Sequence, residues 1–393
     1  MFKLILLLAI VSLLLTASAW AVDDPKAQPG PDEPAAPHPQ VVAAVTGPLN
    51  QVKPFTPALS IDAQQFNRDR HVPMINATAP WGPTQFVPME VPEYVHGYTG
   101  EKRPGAFLFA GRSLKTAADI GGVRYASKTP PKWAPNVAGG LSVDNELEGD
   151  LVMRFRVIPH DRMIEIRVGL TNGGKLPVKG VWTQLCSKSY GLEGLTRRHV
   201  DSSWMLIGGE LVTWSVTGQD LDWLKAHLKP GKDDEYKDSN FFMAHLGAGP
   251  IAGKLEFQKS GSGIFTLGKR IDVPAIAKLD AEKKRGLIVY SPSADKIFYN
   301  VLQPCFHADP QIGTVLPGAT CWSQTYIIYF QGDAKAMMNA LSAAHRQITA
   351  PPAPTSQPDQ SAQPPGQPAT PPAPAATTPQ VPTPQPGNQE SAQ

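Results

Sequence analysis

Between Leu151 and Leu170 the chain alternates with a period of two, and this stretch constrains the fold more than any other. Leu151, Met153, Phe155 and Val157 fall on one side, with Val152, Arg154, Arg156 and Ile158 on the other. Beyond Pro159-His160-Asp161 the alternation resumes, with Ile164, Ile166, Val168 and Leu170 opposite Glu165 and Arg167. Successive side chains of a strand point to opposite faces, so the pattern predicts an antiparallel hairpin with one buried face. Asn172-Gly173-Gly174 closes it as a turn. The next strand, residues 178–187, sets Trp182, Gln184 and Cys186 on one face and Val181, Thr183 and Leu185 on the other.

Further strands are predicted over residues 210–216, 241–246, 263–268, 270–275, 286–291 and 296–302, separated by Gly, Pro, Asp and Ser clusters. Residues 71–105, rich in Pro and aromatics, read as ordered loop and edge strands. Only two helices are predicted, over residues 220–228 and 334–348. The second follows Asp333, a good N-cap, and presents Met337, Met338, Leu341 and Ala344 as a buried stripe. About a dozen strands and two short helices make a mainly β protein, a large antiparallel two-sheet sandwich.

The ends have a different composition. Lys3 precedes a run from Leu4 to Leu15 that is apolar but for Ser12, followed by Thr16-Ala17-Ser18-Ala19-Trp20-Ala21. That order predicts a signal peptide over residues 1–21, cut after Ala19 or Ala21. A run of about 12 residues is short of the ~20 that cross a hydrocarbon core. The mature protein is therefore expected in the periplasm or outside the cell, with no stable membrane insertion once the leader is removed. Residues 22–57 read as a Pro/Ala-rich linker, 58–348 as one β-sandwich domain, and 349–393 as a disordered Pro-rich tail. Residues 22–51 and 350–393 are expected to be dispensable for folding. A formal charge of +2 with no basic block argues against nucleic acid as a partner. Protein partners have no signature.

Polar chemistry concentrates over residues 300–333. Cys305, His307 and Asp309 alternate, so an extended chain points all three the same way. Pro310, Gly313, Pro317 and Gly318 predict a long turn, and residues 321–330 a returning strand. Cys305 and Cys321 stand at the feet of that turn. A bridge between them would close a loop of about 15 residues and contribute ~3 kcal/mol in the entropy model; the alternative is three reduced, buried thiols. Zinc needs three or four ligands and no second cluster accompanies Cys305, His307 and Asp309, so neither a metal nor a cofactor is expected. Trp182, Trp204, Trp214, Trp223 and Trp322 offer either sugar-stacking indoles or core packing. Arg197-Arg198-His199 suits an acidic sugar and a solvated turn equally.

Three blocks carry a resemblance: Leu170-Thr171-Asn172-Gly173; Gln184-Leu185-Cys186; and Cys305-Phe306-His307-Ala308-Asp309-Pro310 with the later Ile328-Tyr329-Phe330. Over residues 141–333 the chain resembles exported bacterial proteins of the galactose-mutarotase-like superfamily. The resemblance implies a twisted two-sheet supersandwich whose concave face accommodates sugar in aldose epimerases and in domains attached to glycoside-active enzymes. It also places the Gln184 strand and the His307 block in one sheet system. Gln184, Trp182, His307 and Asp309 are then the ligand-binding candidates, with carbohydrate as the ligand. Trimming His307, taken as half-exposed, to Ala is expected to cost under ~0.5 kcal/mol. Aldose epimerases use a His and a Glu across the sugar ring, because opening a hemiacetal moves one proton off O1 and another onto the ring oxygen. His307 supplies the catalytic candidate. Glu165, Glu210 and Glu256 all fall where a solvated strand face would put them. The expectation is therefore a carbohydrate-recognising sandwich, with a mutarotase-like or lyase-like enzyme and a structural envelope protein as alternatives.

Overall fold

The alternating stretch forms the hairpin it predicts, β7 (Leu151–His160) paired with β8 (Met163–Asn172) from Leu151↔Asn172 to His160↔Met163. The computed structural model describes residues 33–62, 73–100, 107–110, 128, 132–136, 139–196, 200–214, 241–247, 254–257, 263–300 and 305–351. Up to Ala350 these belong to one unit. The signal-peptide residues, the tail beyond Pro351 and the helix expected at 220–228 lie outside the described residues. No described helix is long and apolar enough to cross a membrane.

Two sheets face each other. Sheet one runs β1 (Leu59–Asp62), β2 (Met74–Ala79), β3 (Gly82–Thr99), β9 (Val178–Lys188), β18 (Cys305–Ala308), β17 (Lys296–Asn300), β12 (Phe241–His245), β14 (Gly263–Thr266) and β13 (Lys254–Phe257). Beside it, β4 (Phe107–Ala110) pairs with β3 and β19 (Gln311–Val315) with β9. Sheet two runs β11 (Glu210–Thr213), β10 (Ser203–Ile207), β15 (Ala275–Leu279), β16 (Arg285–Tyr290), β20 (Thr320–Gln331), β8, β7, β6 (Leu141–Leu147) and β5 (Ala134–Pro135). Among the described pairings of named strands, only β12 with β14 is parallel. This is the mainly β two-sheet sandwich expected.

The core sits where the alternation puts it. Val181 and Leu185 of β9, Ile297 and Tyr299 of β17 and Phe306 of β18 meet Phe155, Ile166, Val168 and Leu170 from sheet two in one cluster. Each such side chain contributes ~1.5–3 kcal/mol on full burial. The opposite face of sheet two carries a second cluster, with Ala277, Ile288, Tyr290 and Ile328 under two helices, α1 (Pro39–Thr46) and α2 (Ala334–Thr349). Helix α2 has the predicted buried residues Met337, Met338, Leu341 and Ala344. It also has the predicted cap, Asp333 Oδ1 accepting from the Ala336 amide at 3.0 Å.

Five expectations are corrected. Part of the stretch read as linker, 22–57, is helical: Pro39 opens α1, where its missing N–H costs nothing, and Val41 and Val45 are fully buried one turn apart. Asn50 is buried too, so the expectation that residues 22–51 are dispensable does not fit the burial of Val41, Val45 and Asn50. The Pro-rich 71–105 stretch supplies β3, which lies inside sheet one between β2 and β9. The strand expected at 270–275 begins at Ala275, and the long turn after Pro310 contains β19.

Candidate functional site

Directly paired residues share a face, so register alone assembles the outer face of sheet one. Across β3 and β9, Glu90 pairs with Cys186, Tyr94 with Gln184 and His96 with Trp182. Cys305 pairs with Lys188 across β18 and β9, and His307 with Phe298 across β18 and β17. The intervening residues Val181, Leu185, Phe306 and Ile297 face the core, which turns this polar set away from it. Glu90, Glu93, His96, Gln184, Lys188, Lys296, His307 and Asp309 are nevertheless all buried.

His307 is the best-defined member. Its Nδ1 lies 2.8 Å from Asp309 Oδ1, and its ring stacks on Phe298 with centroids 5.2 Å apart. The Leu185 amide also donates to Asp309 Oδ1, at 3.4 Å, while Asp309 Oδ2 is buried with no hydrogen-bond partner among the described residues. Gln184 Nε2 donates to Glu93 Oε2 at 3.2 Å, and Lys188 Nζ pairs with Glu90. The His96 ring stacks flat on Trp182 with centroids 3.7 Å apart, and Lys296 Nζ lies 4.6 Å from the centre of the same indole.

The two imidazoles are driven in opposite directions. Burial pushes His307 down, but the charge and hydrogen bond of Asp309, with Glu93 and Glu90 beyond it, outweigh burial and hold its pKa above the ordinary value. Burial, reinforced by the Lys296 charge, holds His96 well below. One face thus combines an imidazole poised to donate a proton with another kept neutral, beside two carboxylates.

Gln184, Trp182, His307 and Asp309 therefore fall together, on or at the end of neighbouring strands of one sheet. His307 is 3 % exposed, so the half-exposed side chain expected from sequence is corrected. Its loss leaves a buried carboxylate without its partner, with an expected cost of ~3–5 kcal/mol. The Cys305–Cys321 bridge is also corrected: Cys305 is bonded to Cys186, with Cα atoms 5.9 Å apart, and Cys321 is buried and takes no part in that bond. Residues 311–315 pair with β9 before the chain crosses to sheet two, which puts Cys321 on β20 while Cys305 stays on β18.

Among the glutamates singled out, Glu165 is fully buried rather than solvated and Glu210 is exposed against Lys335, while nothing is described of the Glu256 side chain. Sequence reasoning missed Glu90 and Glu93. Their signal was the charge at Glu90 and Glu93 in an otherwise apolar stretch, Val87 to Tyr94, interrupted by Pro88 and Pro92. Trp214 is core, its Nε1 donating to Ser203 Oγ at 2.7 Å. Trp204 packs under Lys283 and Trp322 under Arg156, both away from this face. Trp223 and Arg197-Arg198-His199 lie outside the described residues. A groove of about 630 Å³ beside Glu210, Glu282, Lys283 and Lys335 contains none of the residues on this face.

No protein-family model matches the chain, and no curated protein matches it in sequence. Among solved structures it is similar to a galactose mutarotase related enzyme from Lactobacillus acidophilus, at 10% identity over 72% of this chain and 99% of that one, with a TM-score of 0.32. A protein from Synechocystis gives 9% identity, 71% and 96% coverage and the same TM-score of 0.32. An α-galactosidase from Geobacillus stearothermophilus gives 10% identity over 66% of this chain and 32% of that one, with a TM-score of 0.27. The galactose-mutarotase resemblance read from the sequence thus recurs among the solved structures, and at these TM-scores it carries no argument about activity.

Proposed function

We propose that the outer face of sheet one is a carbohydrate-recognition surface of an exported protein. The observation that carries the reading is the buried, unpartnered Asp309 Oδ2 in a set of fixed polar groups flanked by the Trp182 indole. A buried acceptor without a donor costs ~1–3 kcal/mol. A sugar hydroxyl that reaches it by displacing the side chains over it would remove that penalty, and Gln184, Lys188 and Glu93 supply the mixed donors and acceptors a polyol needs. Trp182, with His96 stacked on it and Lys296 over its ring, adds an apolar edge beside that set. Export rests on the leader-like residues 1–21 alone.

The test is a titration of the full chain with neutral monosaccharides and uronic acids, read by tryptophan fluorescence. Saturable binding that falls at least tenfold in Gln184→Ala supports the reading. Binding undiminished in that variant, or absent from the wild type with every sugar, overturns it.

A second reading, a sugar-active enzyme, is favoured by His307 sitting 2.8 Å from Asp309, with Glu93 and Glu90 beyond it on the same face; together the three carboxylates raise its pKa. There His307 donates a proton to the ring oxygen while Glu93 or Glu90 accepts one from O1. Polarimetry of a freshly dissolved pure anomer decides it. Acceleration lost in His307→Gln supports catalysis, and no acceleration by the wild type leaves recognition alone.

A further inference from the structure

We propose that Cys186, Cys305 and Glu93 form a site for one thiophilic divalent cation when the Cys186–Cys305 bond is reduced. The two sulfurs and a Glu93 carboxylate oxygen lie within 4.8 Å of one another, and all three residues are buried. Zinc holds thiolate sulfur at ~2.3 Å and carboxylate oxygen at ~2.0 Å, so tetrahedral donors stand roughly 3.5–3.8 Å apart. Once the S–S bond is broken, side-chain rotation is enough to reach that spacing.

The donors come from β3, β9 and β18, adjacent strands whose register places Glu90 opposite Cys186 and Lys188 opposite Cys305. The backbone therefore presents the set before any ion arrives. Gln184 Nε2 holds the Glu93 carboxylate at 3.2 Å, the kind of outer partner that orients a metal ligand. Lys188, the nearest cation in register, is engaged by Glu90. Two thiolates and a carboxylate suit a thiophilic ion rather than Mg²⁺ or Ca²⁺, and three protein ligands leave a fourth position open.

The chemistry balances. A dithiol supplies two electrons and two protons, the S–S bond breaks, two Sγ–H bonds form, and the reductant leaves as its cyclic disulfide. The cation then displaces both protons to solvent as two sulfur–metal bonds form. This inference does not rest on the carbohydrate reading.

The experiment uses the full chain, reduced with a dithiol until all three cysteines of the sequence react as thiols, then desalted without air. Cd²⁺ is added while thiolate-to-metal charge transfer is followed in the ultraviolet. The expected result is saturation at one equivalent per chain, and no signal from the oxidised chain. Cys186→Ser and Cys305→Ser should each abolish it, Glu93→Gln should weaken binding by more than the roughly 10–100-fold that loss of an outer partner costs, and Cys321→Ser should titrate like the wild type. A reduced chain that takes up no Cd²⁺, or a signal that needs Cys321, overturns the proposal. Should the Cys variants fail to fold, the wild type alone decides: reoxidation with a small disulfide should release the ion, and retention by the reoxidised chain overturns the site.

Discussion

The outer faces of the two sheets both bury charge, and they do so differently. On sheet two, Glu165 accepts from Arg167 Nε and Nη2, both at 2.9 Å, lies 2.9 Å from His160 Nε2 and also accepts from Gln324. The N-terminal segment crosses the cluster, with Glu33 against Arg156 and Arg167, the Ala36 carbonyl accepting from Gln324 and the His38 amide donating to Tyr326. Both Glu165 oxygens are occupied. On sheet one, by contrast, the Asp309 carboxylate uses one oxygen twice and the other not at all. A buried ionic group with every lone pair satisfied is architecture. One with an oxygen left over has capacity for something else.

That contrast can be broken. Its largest consequence is that Glu165→Ala, which strands the Arg167 charge, should cost ~3–5 kcal/mol in urea unfolding. A loss under ~1 kcal/mol would show that the sheet-two cluster does not hold the fold. Next, the two faces should fail at opposite ends of the pH scale. The folded pKa of His307 is raised, so the stability it contributes is complete below the unfolded value of ~6.5 and is lost as pH rises through the folded one. For Glu165, burial raises the pKa, but the His160 and Arg167 interactions together outweigh it and leave it lowered. Its contribution is complete above the unfolded value and is lost as pH falls through the folded one. Each limb has a slope of at most ~1.4 kcal/mol per pH unit. His307→Asn should flatten the alkaline limb alone and Glu165→Gln the acid limb alone; a variant that flattens both, or neither, contradicts the assignment.

Smaller effects sharpen the comparison. Gln184→Ala removes one hydrogen bond to Glu93 and should cost about 1 kcal/mol while weakening sugar binding at least tenfold; loss of the fold would make the sheet-one face structural as well. Glu33→Gln should change stability by no more than ~1 kcal/mol, because its contacts to Arg156 and Arg167 are 3.7 and 3.6 Å and Glu33 is 37% exposed. A larger loss would mean that the N-terminal segment is held by charge rather than by Val41 and Val45.

What the sequence disclosed follows from range. The β7–β8 hairpin, the division of β9 into a Trp182–Gln184–Cys186 face and a Val181–Leu185 face, and the stripe of α2 are set by neighbours within a few residues, so period and capping reveal them. The Cys186–Cys305 bond joins residues 119 apart in sequence, and no local pattern reports such a partner. Glu90 and Glu93 stayed hidden for a related reason. β3 is paired on both sides, so it lacks the alternation of a half-solvated strand, and its prolines imitate a loop. Helix α1 is eight residues long and stands only because α2 and sheet two cover Val41 and Val45.

The position of β20 has a consequence for how the chain is made. It is the last strand among the described residues, yet it lies in the interior of sheet two, between β16 and β8. During synthesis β8 can zip to β7 and β16 to β15 at once, but the two halves have nothing to join them until Gln331 has emerged. Until then both present unpaired backbone, the surface on which strands of other chains add. Helix α1 must likewise wait for α2, about 290 residues later in the sequence. Completion of the sandwich thus waits for residues 320–349, which makes folding slow by topology.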